Sequence, residues 1–381
     1  MIFDHCIYYV HFVNYVHYVH IVLYLTKIYF LLHIEPSAVC NLSCPGCPTA
    51  VGRGEGIMRL ADFERVLERI PRTVRFLNLW HRGEPLCAPE FPEMATSATR
   101  RRLWTQTYSN GTLLCKGDLA RRLVQAGLKR ITLAIDGADE ATYQQYRVGG
   151  KLADILEGIA ILRVERKRAG VHLPKIIVEC LIRRQTIDQL QAVKRLANAC
   201  GADKVKFKTY RVSSLEDVNS APNDLPDDRR LWRYDLVDGR LQMRRTRDYC
   251  RRLAYSAVIA YNGEVFPCCF WTKKFGLGNI LGLPAADSPQ SAAVGRASLP
   301  AENCCRMSPS CSDETAEWGH SAANRAVDFG ESTVKGGAQS WRDIAGGPLR
   351  EFRRIVNSGG RNGIPMCRNC TEGLKQLYVK L

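Results

Sequence analysis

From Phe30 to Thr209 the sequence switches repeatedly between short apolar runs and longer stretches with apolar residues at helical spacing, which leaves few folds open. Strand character falls at residues 30–35 (FLLHIE), 74–80 (VRFLNLW), 103–109 (LWTQTYS), 129–136 (KRITLAID), 175–182 (KIIVECLI) and 203–209 (DKVKFKT). Helical spacing falls between them at 60–70, 115–127, 151–169 and 186–200. Six strands alternating with helices predict an α/β fold, a parallel sheet joined by right-handed crossovers. Units of this length curl into a partial (β/α)6 TIM-like barrel with ligands at the carboxyl ends of its strands.

The stretch IEPSAVCNLSCPGC places Cys40, Cys44 and Cys47 directly after the first strand, and therefore at that ligand-binding end. With 16 cysteines in 381 residues, random placement gives about 0.03 matches to C-x3-C-x2-C. Three thiolates can hold a 4Fe-4S cube by three corners and leave the fourth iron open to a small molecule. Zinc or a redox thiol cluster are the rival readings, as are unrelated core cysteines. A structural zinc site is closed and tetrahedral, and only His81 and Cys87 follow within about forty residues.

Length and a hydrophobic content of 46% suit one large domain plus a smaller one. Clustered cysteines in so long a chain point to metal binding in a reducing compartment, the cytoplasm, rather than to disulfides. The net charge of +16 admits nucleic acid, an anionic surface or an acidic substrate as partner. The basic residues are spread over most helices without an RNA-binding signature, so nucleic acid is not the expected partner.

Residues 1–29, repeating Tyr-Val-His, form an atypical apolar extension. Its length suits a membrane span, but His5, His11, His17, His20 and Lys27 interrupt it, so a poorly folding extension is expected and an anchor is the alternative. Its uncharged, β-rich character is an aggregation risk. A core domain is expected over 30–212, a polar linker over 213–240 and a smaller domain over 241–381. Within the last, 256–268 reads as a hairpin about Asn262-Gly263, 282–339 as a disordered insertion and WRDIAGGPLREFRRIV as a helix.

With the triplet, Gly83-Glu84-Pro85 after strand two, TYSNGTLL (107–114) at strand three and LAIDGADEATYQQYRVGG (133–150) from strand four, the chain resembles the radical S-adenosylmethionine (SAM) enzymes. It resembles in particular those with a C-terminal SPASM or twitch domain holding an auxiliary iron-sulfur cluster. The resemblance implies a SAM-binding 4Fe-4S cluster on Cys40, Cys44 and Cys47. It implies acceptors for the methionine ammonium at Gly83, Glu84 and Pro85, and ribose contacts from Ser109, Asn110 and Asp136, although Asn110-Gly111 and Asp136-Gly137 are also ordinary turn pairs.

It further implies an auxiliary 4Fe-4S cluster on Cys250, Cys268, Cys367 and Cys370, the single-cluster twitch count. A closed zinc site on the same four thiolates is the alternative there, as is a zinc-binding nucleic-acid or scaffold protein for the whole chain. Cys269 reads as core or a substitute ligand, and Cys304, Cys305 and Cys311 as non-ligands. The implied partners are a peptide or small-molecule substrate and an electron donor such as flavodoxin or ferredoxin. Gly46 departs from the family, which often has an aromatic residue before the third cysteine.

Overall fold

The computed structural model describes residues 29–47, 49, 56–212, 224–244, 250, 252–270, 276–283, 337–358, 367, 370 and 378–379. The Tyr-Val-His segment through residue 28, residues 284–336 of the expected insertion, and with them Cys304, Cys305 and Cys311, lie outside the described residues.

Six strands, β1 (Leu31–Ile34), β2 (Phe76–Asn78), β3 (Trp104–Ser109), β4 (Arg130–Ala134), β5 (Lys175–Ile182) and β6 (Lys204–Thr209), pair in chain order, each parallel to the next. The crossovers carry α1 (Leu60–Arg69), α2 (Phe91–Arg100), α3 (Leu119–Gln125), α4 (Glu140–Tyr146), α5 (Leu152–Arg168) and α6 (Leu190–Cys200). This is the expected α/β architecture of a partial barrel. Strand β5 is almost continuously apolar, as a strand covered on both faces must be, and Ile176, Val178, Cys180 and Ile182 join the core beneath the helices.

The C-terminal third completes this sheet at both edges. Strand β9 (Ser256–Ile259) runs parallel to β1, β10 (Val265–Phe266) folds back on β9, and β11 (Tyr378–Val379) lies antiparallel to β6. The short α7 (Arg252–Tyr255) leads into β9, and α8 (Trp341–Gly346) and α9 (Pro348–Ser358) contribute Trp341, Ile344, Leu349, Phe352 and Val356 to the same buried cluster as β1 and α1. The ring of Tyr29 meets Trp341 edge-on with centroids 4.8 Å apart, so the last residue of the expected extension is core. One helix was expected here, but the chain breaks at Gly347, ahead of Pro348, and Ser340 caps α8 with a reciprocal Ser340–Asp343 box.

Part of the stretch expected as linker is ordered. A hairpin of β7 (Tyr234–Val237) and β8 (Arg240–Met243) seats Tyr234, Leu241 and Met243 in a second small cluster with Tyr210, Val212 and Leu225. The polar composition of that stretch hid these few apolar anchors. Among the described residues no helix is long and apolar enough to cross a membrane.

Candidate iron-sulfur and SAM site

The Cys40–Cys47 loop leaves the carboxyl end of β1 and is held there by backbone contacts. The amide of Cys47 donates to the Cys44 carbonyl at 3.1 Å, closing a turn with Pro45-Gly46 at its corner. Gly46 has φ of +70°, the conformation the third residue of a Pro-Gly turn needs and an aromatic side chain resists. The local turn therefore accounts for the departure at Gly46.

Gly83 packs directly on this loop: a Cβ there would lie 2.2 Å from the Ser37 carbonyl oxygen. Only glycine permits that approach. The next residue, Glu84, donates its amide to the Val39 carbonyl at 2.8 Å. Its buried carboxylate accepts from Ser109 Oγ (2.6 Å), the Asn110 amide (2.7 Å) and the Leu86 amide (3.0 Å). Burial raises the Glu84 carboxyl above its usual range, and these donors oppose the shift. Glu84 thus ties the ends of β2 and β3 together, and Pro85 opens the short 3-10 turn Pro85–Cys87 that follows.

Asn110 reaches from the end of β3 into the triplet loop, its Nδ2 2.8 Å from Asn41 Oδ1 and 3.9 Å from Cys40 Sγ. Asp136, fully buried just past β4, accepts from the Leu181 amide at 2.7 Å and pairs with Arg147 at 2.6 Å. Arg147 also directs Nη1 to Cys44 Sγ at 3.8 Å. It was not singled out in the sequence, although it lies inside the quoted 133–150 motif. All six SAM-contact candidates and the three cysteines therefore meet at the carboxyl end of β1–β4. Burial, then the negative charge of Glu84, pushes the Cys40 thiol up to about 12, and burial raises Cys44 against the pull of Arg147. Deprotonation of these thiols belongs with metal binding.

Away from the triplet loop, a cavity is lined by Cys250, Cys268, Cys367 and Cys370 together with Arg252, Phe270 and Phe352. Cys268, just past the hairpin, thus meets Cys367 and Cys370 at one cavity. Burial raises the Cys268 thiol well above its usual value, with further contributions from Cys269, Cys370 and Cys367. Cys269 takes a different role: its Sγ accepts from Arg252 Nη1 at 3.5 Å and its carbonyl lies 3.4 Å from His81 Nε2. Among the described residues no three His, Cys, Asp or Glu side chains converge on one metal-ion position. A multi-iron cluster carries its own volume between its thiolates, so four thiols facing a shared cavity suit it as a donor set.

An α/β barrel open at its strand ends carries a thiol triplet there, and four further thiols line a cavity, donor sets of the kind that hold iron-sulfur clusters. A family model described as the radical SAM superfamily matches residues 34–197, and an iron-sulfur cluster-binding SPASM domain model matches residues 250–293. The chain thus carries a radical SAM domain and, toward its C-terminal end, an iron-sulfur cluster-binding SPASM domain. That match favours the iron-sulfur reading of the N-terminal triplet over the zinc-binding scaffold alternative.

It is 29% identical over 144 residues to AdoMet-dependent heme synthase of Methanosarcina barkeri, covering 36% of this chain and 40% of that protein. It is 26% identical over 254 residues to the tungsten-containing aldehyde ferredoxin oxidoreductase cofactor-modifying protein of Pyrococcus furiosus, covering 62% and 70%. It is also 29% identical over 175 residues to PqqA peptide cyclase of Rhodopseudomonas palustris, covering 45% of each chain. The chain thus spans less than half of the first and third of these relatives.

Proposed function

We propose that the protein is a radical SAM enzyme that modifies a peptide or small-molecule substrate. The observation that carries this reading is the joining of the Cys40–Cys47 loop to Glu84, Ser109 and Asn110 on one side and to Asp136 and Arg147 on the other. It supports a 4Fe-4S cluster on Cys40, Cys44 and Cys47 with SAM beside it, and the cavity lined by Cys250, Cys268, Cys367 and Cys370 supports an auxiliary 4Fe-4S cluster. When bound, a reduced cluster supplies one electron to SAM, from a donor such as flavodoxin or ferredoxin, giving methionine and a 5′-deoxyadenosyl radical that takes hydrogen from substrate.

The chain's own part is positioning. Gly83 lets the Gly83-Glu84-Pro85 segment lie against the triplet loop, and its backbone acceptors are assigned to the methionine ammonium. The Glu84 carboxylate is already engaged by three donors, so its role is to hold Ser109 and Asn110 at the ribose side. Arg147 supplies a fixed positive charge beside Cys44 and orients Asp136. The names of the relatives, a heme synthase, a cofactor-modifying protein and a peptide cyclase, support a substrate of either size.

Replacing Cys40, Cys44 and Cys47 together by Ala tests the assignment. Reductive SAM cleavage should disappear while about four irons per chain remain on the C-terminal thiols. Retained cleavage, or loss of all iron, overturns it.

A further inference from the structure

The inner face of the sheet is unusually cationic. Along β6, Lys204, Lys206 and Lys208 alternate with Val205, Phe207 and Thr209, and Phe207 and Val205 pack into the core shared with the helices. Successive strand residues face opposite ways, so the three lysines share the face turned away from the helices, the concave wall of the barrel. Arg130 of β4 joins them; its Cζ lies 4.9 Å over the Trp104 ring, its Nη1 donates to Gln106 Oε1 at 3.2 Å, and its buried Nε has no hydrogen-bond partner. Burial lowers the Lys206 ammonium, Glu179 opposes that shift, and the charges of Arg130, Lys204 and Lys208 add to it, so Lys206 feels the other three cations.

One carboxylate answers them. Glu179 on β5 accepts from Lys208 Nζ (3.0 Å), Tyr108 OH (3.2 Å) and Tyr378 OH (2.9 Å). The Tyr108 bond reaches from β3 to β5 across β4, whose register places only Thr132 and Ala134 beneath it. Glu179 can offset one positive charge of four. Lys206 sits 5.2 Å over the Tyr378 ring, and neither it nor Lys204 has an ion pair among the described residues. Grouping partly buried like charges costs free energy that a bound anion would recover.

We propose that this wall binds a carboxylate group of the substrate, with Lys206, Lys208 and Arg130 as its specificity-determining residues. Ammonium and tyrosine hydroxyl donors already grip the Glu179 carboxylate in this place, so a second carboxylate meets the same donor chemistry. Register sets Glu179 opposite Ala134, two residues before Asp136. A carboxylate held here leaves the rest of the substrate extending toward the Cys40–Cys47 loop. An acidic peptide and a small polycarboxylic acid share this chemistry. The substrate role rests on the proposed radical reaction, but binding does not.

The test is therefore binding to the full chain without SAM or reductant, which separates its failure from failure of the radical reading. A fluorescein-labelled peptide of alternating Glu and Gly is compared with its Gln counterpart and challenged with citrate. The Glu peptide, or citrate, should bind at least about tenfold more tightly than the Gln peptide and lose affinity with salt. Citrate binding without peptide binding assigns a small acid; peptide binding that citrate displaces only weakly assigns a peptide. The Lys206→Gln/Lys208→Gln variant should lose about tenfold, one net charge-assisted hydrogen bond, and Lys206→Arg/Lys208→Arg should retain most of the affinity. Equal affinity for the Glu peptide, citrate and the Gln peptide, or affinity that neither pair of substitutions changes, overturns the proposal.

Discussion

His33 is a histidine that the fold keeps uncharged. Gln106 Nε2 donates to Asn78 Oδ1 at 2.6 Å, which turns the Asn78 amide so that its Nδ2 meets His33 Nε2 at 3.0 Å. The ring nitrogen must accept there, so protonation would cost this bond and set a charge in a site with 6% of the residue exposed. Burial, helped by the charges of Arg252 and His81, lowers its pKa from 6.5 to about 3. The sign follows from the unfolded chain, which binds a proton below pH 6.5 while the folded one does not until near pH 3. The contribution of this residue to stability is therefore complete above pH 6.5 and is lost as pH falls toward 3. Between pH 6.5 and 5 the loss is about 2 kcal/mol. Urea unfolding of the parent and of His33→Gln at those two pH values checks this, with a flatter pH dependence expected for the variant; parallel curves would refute it.

Gly263 shows how one element sets the auxiliary site. It turns the hairpin between β9 and β10 with φ of +83°, and a Cβ there would stand 2.7 Å from both Asn279 Oδ1 and Leu281 Cβ. Gly263→Ala should lower stability by about 1–3 kcal/mol through left-handed strain alone and displace the segment that holds Cys268. Thermal unfolding together with iron content checks it, and a variant with unchanged melting and unchanged iron would sink the idea. The Asn262-Gly263 signal for this turn was legible in the sequence because it is local, and so was β5, whose apolar run 175–182 matches its observed extent. Less periodic elements were not. Helices α2 and α4 were less legible, since EATYQQY is two turns long with little apolar content, and α2 buries the small Ala95 and Ala98 beside Phe91 and Met94 in a stretch that also holds Pro92. The internal use of the Glu84 carboxylate was equally hidden, because its partners Ser109 and Asn110 lie on the next strand, 25 and 26 residues on.

At the scale of the whole molecule, the C-terminal third acts as part of the barrel. Strand β9 extends the sheet beyond β1, β11 closes its other edge against β6, and α8 and α9 share the core with Tyr29. Sequence periodicity could suggest the six central strands but not this closure, since β10 and β11 are two residues each. The two thiol sites also have a direct structural link: the His81 side chain stands between Glu35 Oε1 at 3.4 Å, past the end of β1, and the Cys269 carbonyl at 3.4 Å, beside Cys268. Despite that proximity the sites should fail separately, because Glu84, Asn110, Asp136 and Arg147 hold the triplet loop through Ser109, Asn41 and Cys44 and through one another. A fully ligated cluster has no open iron and does not bind SAM. Replacing Cys367 and Cys370 by Ala should therefore remove about four irons per chain, preserve reductive SAM cleavage in the absence of substrate, and stop substrate turnover. Iron and sulfide analysis, with the electron paramagnetic resonance signal of the remaining reduced cluster, reads the first effect independently of activity. Unchanged iron in the double variant, or zinc in place of iron in the parent, would overturn the assignment.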